Sequence, residues 1–316
     1  MTNPKPVILT VGANPAWQKV LHFNQFAYGK VNRADSLMAF ASGKGINFCR
    51  AARVWDAAET RLVQFAGGHN GMLLTADLDR EGLKHETIAS EAPTRCCSTC
   101  LSEADNVMTE LIEPSRGPGR KAEEAALRWL EKALPDAAAV ALCGQLPAGM
   151  EIDFYVRCAQ LAARSDVPIL IDSWQKIVPV LEAARHATLK INTEELLALT
   201  GISAIVPAMR SLLQRHELDN VAITGGADAA YFARGNEVWI LEVPRLERVE
   251  NPVGSGDTAS AVFWSEYLRG RTPVEAFRAG LAAASANCLS MLCGSFDPAT
   301  ARRFYDQIVV TRIYQP

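Results

Sequence analysis

Short runs of consecutive apolar, β-branched residues alternate along this chain with stretches whose apolar positions recur every three to four residues. The runs predict strands over 7–11, 61–65, 138–142, 168–172, 188–191 and 221–224. The helical spacing predicts helices over 45–55, 71–79, 122–134, 152–164, 175–184, 193–199, 207–216 and 259–268. Strands that alternate with helices imply an α/β fold with a mostly parallel sheet, and such sheets take ligands beyond the C-terminal ends of their strands.

Two segments break this rhythm. Residues 20–40 have no helical period, and 86–113 reads as two extended runs, 95–101 and 107–112, joined by Glu103-Ala104-Asp105-Asn106. Both leave the sheet at the end where ligands are expected, so together they predict a small β-sheet covering a site. With no repeat, low-complexity tract or long linker, the chain reads as one domain over 1–316 with a lid from about 14–41 and 87–113.

Composition changes this picture little. A chain of 316 residues with 49% hydrophobic residues can bury a large core. A net charge of −3 gives no basic surface for nucleic acid or membrane. No apolar run has transmembrane length and the first residues lack a signal-peptide core, so a cytoplasmic protein is expected. The eight cysteines show no paired Cys-x-x-Cys spacing and no nearby histidine, which predicts free thiols rather than a zinc site.

The strongest chemical signal is Asn251-Pro252-Val253-Gly254-Ser255-Gly256-Asp257-Thr258, followed directly by an apolar helical run. Glycines let successive N–H groups turn the same way, and a helix N-terminus adds positive partial charge: an anion socket. A carboxylate on its rim is wrong for merely holding phosphate. It is right for taking a proton from a hydroxyl that attacks phosphate. Ala41-Ser42-Gly43-Lys44-Gly45-Ile46-Asn47 is no P-loop, because Ile46 stands where Ser or Thr would meet magnesium. It suits either a helix-starting turn or close approach to a polyhydroxyl ligand. In Lys190-Ile191-Asn192-Thr193-Glu194-Glu195, Asn192 and Glu195 fit a local capping box, or water-mediated Mg²⁺ binding beside a phosphate. Thr224-Gly225-Gly226 could line a nucleotide's phosphates or merely turn.

Together these segments resemble the ribokinase-like (PfkB) carbohydrate kinase family, nearest its phosphosugar branch of 1-phosphofructokinase and tagatose-6-phosphate kinase. The resemblance runs nearly end to end. It includes Thr10 to Ala16, Gly29 to Arg33, Gly43 to Asn47, Thr94-Arg95, Gly144-Gln145-Leu146-Pro147-Ala148-Gly149, Lys190 to Glu195 and Val253 to Thr258. It implies a three-layer α/β/α domain with a β-sheet lid. It also implies transfer of the γ-phosphoryl group of ATP, with Mg²⁺, to a hydroxyl of a phosphorylated ketohexose of the fructose 1-phosphate or tagatose 6-phosphate type. Under it, Asp257 is the base and Gly254, Ser255 and Gly256, with Asp257, form the anion hole. Gln18, Arg33, Gly43, Lys44, Asn47 and Arg95 face the sugar, the two arginines meeting its phosphate. Lys190, Asn192, Thr224, Gly226 and Asn287 contact the nucleotide, with Asn192 and Glu195 at the metal. A homodimer through the lid is a further implication.

Departures cluster at the sugar end. Gln18 replaces the usual Asp, Gln145 a serine, Ser42 a glycine, Cys97 an asparagine and Ala229 a glycine. They keep open a kinase of an unphosphorylated sugar or nucleoside, and a sugar-sensing protein with degraded turnover. A nicotinamide oxidoreductase is disfavoured, because Asn14-Pro15-Ala16-Trp17 follows the first strand in place of the dinucleotide fingerprint.

Overall fold

A computed structural model describes residues 4–313. The runs read as strands assemble into one ten-stranded sheet, ordered β14-β13-β12-β11-β10-β9-β8-β1-β4-β5. Its parallel part comprises β11 (Asn220–Gly225), β10 (Ala187–Asn192), β9 (Ile169–Asp172), β8 (Ala139–Cys143), β1 (Val7–Gly12), β4 (Glu59–Ala66) and β5 (His85–Ala89). An antiparallel edge follows: β12 (Asp228–Arg234), β13 (Glu237–Glu242) and β14 (Val309–Ile313).

The central strands are apolar on both sides because both faces are covered. One face packs against α3 (Arg120–Ala133), α4 (Asp153–Arg164), α5 (Val178–Ala183), α6 (Thr193–Thr200) and α7 (Ile205–His216). The other meets α1 (Lys44–Trp55), α2 (Gly68–Glu81), α8 (Ser255–Leu268), α9 (Pro273–Asn287) and α10 (Pro298–Gln307), with Phe232, Phe263 and Phe277 in mutual ring contact. The result is a three-layer α/β/α fold.

A second, four-stranded sheet has the order β3-β2-β6-β7. It joins β2 (Ala16–Phe23), β3 (Ser36–Ser42), β6 (Arg95–Ser102) and β7 (Val107–Ile112). Strands β2 and β6 run parallel, and the outer pairs are antiparallel. Of residues 20–40 only 20–23 and 36–40 are strand, with 24–35 connecting them, and the sheet stands over the C-terminal ends of β1, β4, β8, β10 and β11.

Three predicted helices shift at their starts by three residues or more. α2 begins at Gly68, three residues early, and α8 at Ser255, which puts Asp257 in its first turn. α5 begins only at Val178, with Pro179 in its first turn, where a missing N–H costs nothing.

Candidate active site

Asp257 is 6% exposed and sits where the glycine loop enters α8. Gly254 caps that helix at φ 83°, a left-handed conformation, and a Cβ there would lie 3.0 Å from the Cβ of Cys293. Two buried asparagines brace the loop. Asn251 Oδ1 accepts from Val253 N–H at 3.0 Å and its Nδ2 donates to the Met291 carbonyl at 3.0 Å. Asn287 Nδ2 donates to the Val253 carbonyl at 3.2 Å, and its Oδ1 accepts from Thr258 Oγ1 at 3.2 Å and Gly294 N–H at 2.8 Å. Asn287 is therefore wholly buried beneath the loop, its amide engaged by Val253, Thr258 and Gly294.

The N–H groups of Gly254, Gly256 and Asp257 have no hydrogen-bond partner among the described residues, whereas Ser255 N–H donates to the Pro252 carbonyl at 3.2 Å. The loop therefore leaves three N–H groups free, with Ser255 turned inward.

Asn47, in the first turn of α1, donates from Nδ2 to Asp257 Oδ2 at 2.8 Å. Its own Oδ1 accepts from Ser42 Oγ at 3.1 Å. The two helix N-termini thus meet across one side chain. Burial raises the Asp257 carboxyl from 3.8 to about 6: the Lys44 charge opposes the shift, and nearby Asp172 adds to it.

Asp172, which sequence reading passed over, organises the floor of the site. It ends β9 and is 2% exposed. Its Oδ1 accepts from Lys44 Nζ at 2.7 Å, and its Oδ2 from Lys190 Nζ at 3.2 Å and Ser260 Oγ at 2.6 Å. Burial works to raise its carboxyl, but the Lys190 and Lys44 charges and these hydrogen bonds outweigh it and hold it well below the usual range. Lys44 moves the other way: its partners, Asp172 foremost, outweigh desolvation and keep it protonated. Lys190 also donates to the Gly256 carbonyl at 2.9 Å, tying the strand end to the glycine loop. The available signal was an Asp closing a wholly apolar strand, Ile169-Leu170-Ile171.

These groups open into a cleft of about 990 Å³ that brings together Gln18, Gly43, Lys44, Asn47, Arg95, Lys190, Asn192, Glu195, Thr224, Gly226 and the loop 254–257. Gly43 turns into α1 at φ 125°, and a Cβ there would stand 2.9 Å from Pro15 Cα. Gln18 Nε2 donates to Thr99 Oγ1 at 2.9 Å within the lid. Arg95 donates to the Asn14 carbonyl at 3.2 Å, while its Nε has no partner among the described residues. Arg33 lies apart, exposed on the connection between β2 and β3 and outside the cleft lining, so one chain does not pair it with Arg95.

Asn192 and Glu195 do form a capping box on α6, with Glu195 N–H to Asn192 Oδ1 at 2.8 Å and Asn192 N–H to Glu195 Oε2 at 2.9 Å. The box leaves Glu195 Oε1 without a partner among the described residues, and no group of three or more metal-ligating side chains occurs among them. Beyond Thr224 and Gly226 a further cavity of about 560 Å³, walled by Val243, Leu246, Val249 and Leu281, adjoins the cleft at Ser255 and Gly256.

All eight cysteines are free. Burial raises the Cys143 thiol, and the Cys293 thiol to about 12.

The fold recurs in solved structures. Escherichia coli phosphofructokinase-2 in complex with fructose-6-phosphate matches with TM-score 0.83 at 20% identity over 96% of this chain and 99% of that one. The same enzyme with potassium matches at 0.85 and 18%, again over 96% and 99%. A Thermotoga maritima protein described as a possible 1-phosphofructokinase matches at 0.83 and 18% over 98% and 100%. At such identities these likenesses establish the fold. Residues 13–300 match the sequence pattern of the pfkB family carbohydrate kinases, a span that takes in the lid, the floor and the glycine loop. A buried carboxylate at an anion socket beneath a β-sheet lid is thus the arrangement of a sugar-phosphorylating enzyme, and the chain belongs to the pfkB family of carbohydrate kinases.

Proposed function

We propose that this kinase transfers the γ-phosphoryl group of Mg·ATP to a hydroxyl of a phosphorylated ketohexose. The observation that carries the reading is Asp257: a nearly buried carboxylate raised to about 6, held by Asn47 at the mouth of a three-pronged N–H socket. At neutral pH it is mostly ionised, yet basic enough to take a proton from an attacking alcohol. The free N–H groups of Gly254, Gly256 and Asp257 lie where charge accumulates on the transferred group, and each such donor typically lowers a barrier by about 3 kcal/mol. Lys44 and Lys190 supply positive charge beside the same point. The loop at Thr224–Gly226 and the apolar cavity beyond it suit the phosphates and base of a nucleotide.

Mg²⁺, when bound, would supply positive charge that offsets the negative charge of the phosphates. The unpaired Oε1 of Glu195 fits outer contact to it through water, which suits a cation that keeps much of its hydration. The lid excludes water that would otherwise hydrolyse ATP. Arg95, with its Nε unpaired, fits an acceptor that already carries phosphate. We further place this chain in a cytoplasmic homodimer formed through the lid. Its cleft-side face continues outward into Met38 and Met108, exposed beside Val20 and Leu101.

The deciding experiment is ADP release over a panel of free ketohexoses and their 1- and 6-phosphates. Turnover confined to the phosphorylated compounds is the expected result. Turnover of free sugars alone would overturn the phosphosugar reading, and none for any acceptor would overturn the kinase reading.

A further inference from the structure

Arg50, in the second turn of α1, is 1% exposed and lies outside the lining of the cleft. A buried guanidinium needs a counter-charge, and Glu81 on α2 supplies it, accepting from Nε at 2.7 Å and from Nη2 at 2.6 Å. That pair alone would satisfy the charge, yet the remaining donors reach three other places. Nη2 also donates to the Ala41 carbonyl at 2.8 Å, and Nη1 donates to the Cys293 carbonyl at 2.7 Å and to Asn47 Oδ1 at 3.4 Å. Ala41 lies on β3, the outer strand of the lid sheet, where its N–H in turn donates to Asp77 at 2.7 Å. Cys293 packs against Gly254 of the glycine loop. One side chain thus holds the base of the lid, the bed of the glycine loop and the residue that meets Asp257.

The contact with Asn47 decides which way that amide points. Asn47 Oδ1 meets Ser42 Oγ at 3.1 Å as well as Arg50. A hydroxyl both donates and accepts, so Ser42 tolerates either end of the amide. A guanidinium only donates, so Arg50 permits a single orientation, with Oδ1 toward itself and Nδ2 toward Asp257. While Asp257 is ionised it demands the same orientation. Once it has taken a proton it can donate, and an amide free to turn would then offer its oxygen and stabilise the protonated form. Asp257 also faces Lys44 on α1, Lys190 on β10 and Asp172 on β9, with the Cys143 and Cys293 thiols further round. Among the described residues none of these side chains is hydrogen-bonded to the Asn47 amide.

We propose that Arg50 is a positioning residue for phosphoryl transfer: its Nη1 locks the Asn47 amide with the NH₂ end toward Asp257 in both protonation states of that carboxyl, and so favours the ionised one, a role that rests on Asp257 being the base. Arg50 touches neither substrate nor reacting atoms. It acts through Asn47, and its bonds to Ala41 and Cys293 keep the guanidinium at the reach this requires.

The test compares pH profiles of kcat/KM in the whole enzyme. Arg50→Lys keeps a positive charge for Glu81, but one ammonium cannot span all four partners. The acid limb of its profile is expected to move up by about one pH unit, the worth of a hydrogen bond to a charged group. Glu81→Gln breaks the same buried ion pair without touching Asn47. It should lower the melting temperature and leave the acid limb in place, as a purely structural role for Arg50 would not predict. In an Asn47→Ala background, adding Arg50→Lys should move the limb no further. An unmoved limb in Arg50→Lys, an equal shift in Glu81→Gln, or a full further shift in the Asn47→Ala background would each overturn the proposal. Should Arg50→Lys fail to fold, a neutron structure of the wild-type protein at about pH 5, where an Asp257 carboxyl raised to about 6 is mostly protonated, decides the matter without variant or turnover. The Asn47 ND₂ group should still face Asp257, and a turned amide would overturn the lock. An unturned amide together with undiminished turnover in Asp257→Asn would defeat the base reading and leave the lock standing.

Discussion

Two carboxylates a few residues' breadth apart are driven in opposite directions by their surroundings. Asp257 faces N–H groups and one amide, and burial dominates; Asp172 grips two ammonium groups and a hydroxyl, and attraction dominates. Asp257→Asn is expected to bind ATP nearly as before and to slow turnover by about 10²- to 10⁴-fold in single-turnover assays. Because the folded carboxyl lies above its ordinary value, the native state holds more protons than the unfolded chain between about pH 4 and 6, and this group lowers stability as pH rises through that window. The same substitution should therefore raise the melting temperature at pH 8 relative to wild type, and a lowered one would count against the assigned burial. Activity runs the other way: kcat/KM should fall tenfold per pH unit below about 6, as the base becomes protonated. Asp172→Asn has the reverse signature. It strands Lys190, 4% exposed, without its counter-charge, and breaking a buried pair costs about 3–5 kcal/mol, read as a lower denaturation midpoint.

At the scale of elements, α6 shows how one pair of residues can carry two duties. Glu195→Gln preserves the capping box, since a glutamine carbonyl accepts from the Asn192 N–H, so stability should change by less than about 0.5 kcal/mol. If Glu195 also meets the metal's water, the Mg²⁺ concentration for half-maximal rate should rise about tenfold; an unchanged requirement would reduce the residue to a cap. The same pair marks the limit of what the sequence disclosed, for both readings of it were visible beforehand and the helix cap is present. The central strands were legible because burial on both faces leaves unbroken apolar runs such as Ile169–Asp172. The edge was not. β5 is His-Glu-Thr-Ile-Ala and half exposed, and β12 is rich in alanine, so neither carries a strand's usual pattern. α9 is buried along most of its length and lacks a polar face to give it a period. Asp257, Asn47 and Lys44 stand at glycine turns that announce helix starts, whereas Asn287 braces the loop through Val253, 34 positions away, a contact no local pattern discloses.

For the whole molecule, the outer reach of the lid lacks a covering layer among the described residues. Its strands alternate, so Gln18, Phe40, Cys97 and Thr99 face the cleft, and the same face continues past it to Met38 and Met108 at 42% and 38% exposed. The connection between β2 and β3 adds Tyr28, fully open to solvent, and Val31, largely so. Leu37, Val107 and Leu111 stand exposed on the opposite face, so the thin sheet is a poor free-standing surface on both sides, and a second copy offers the same patch in return, as two-fold pairing requires. If that pairing exists, Met38→Lys with Met108→Lys should shift the sedimentation coefficient from dimer to monomer without lowering ATP affinity, because neither residue reaches the nucleotide side. Acceptor KM should rise in the same variant, since the lid that carries Gln18 and Arg95 would lose its support. A wild-type protein that sediments as a monomer at micromolar concentration would remove the pairing, and with it the expectation that lid closure depends on assembly.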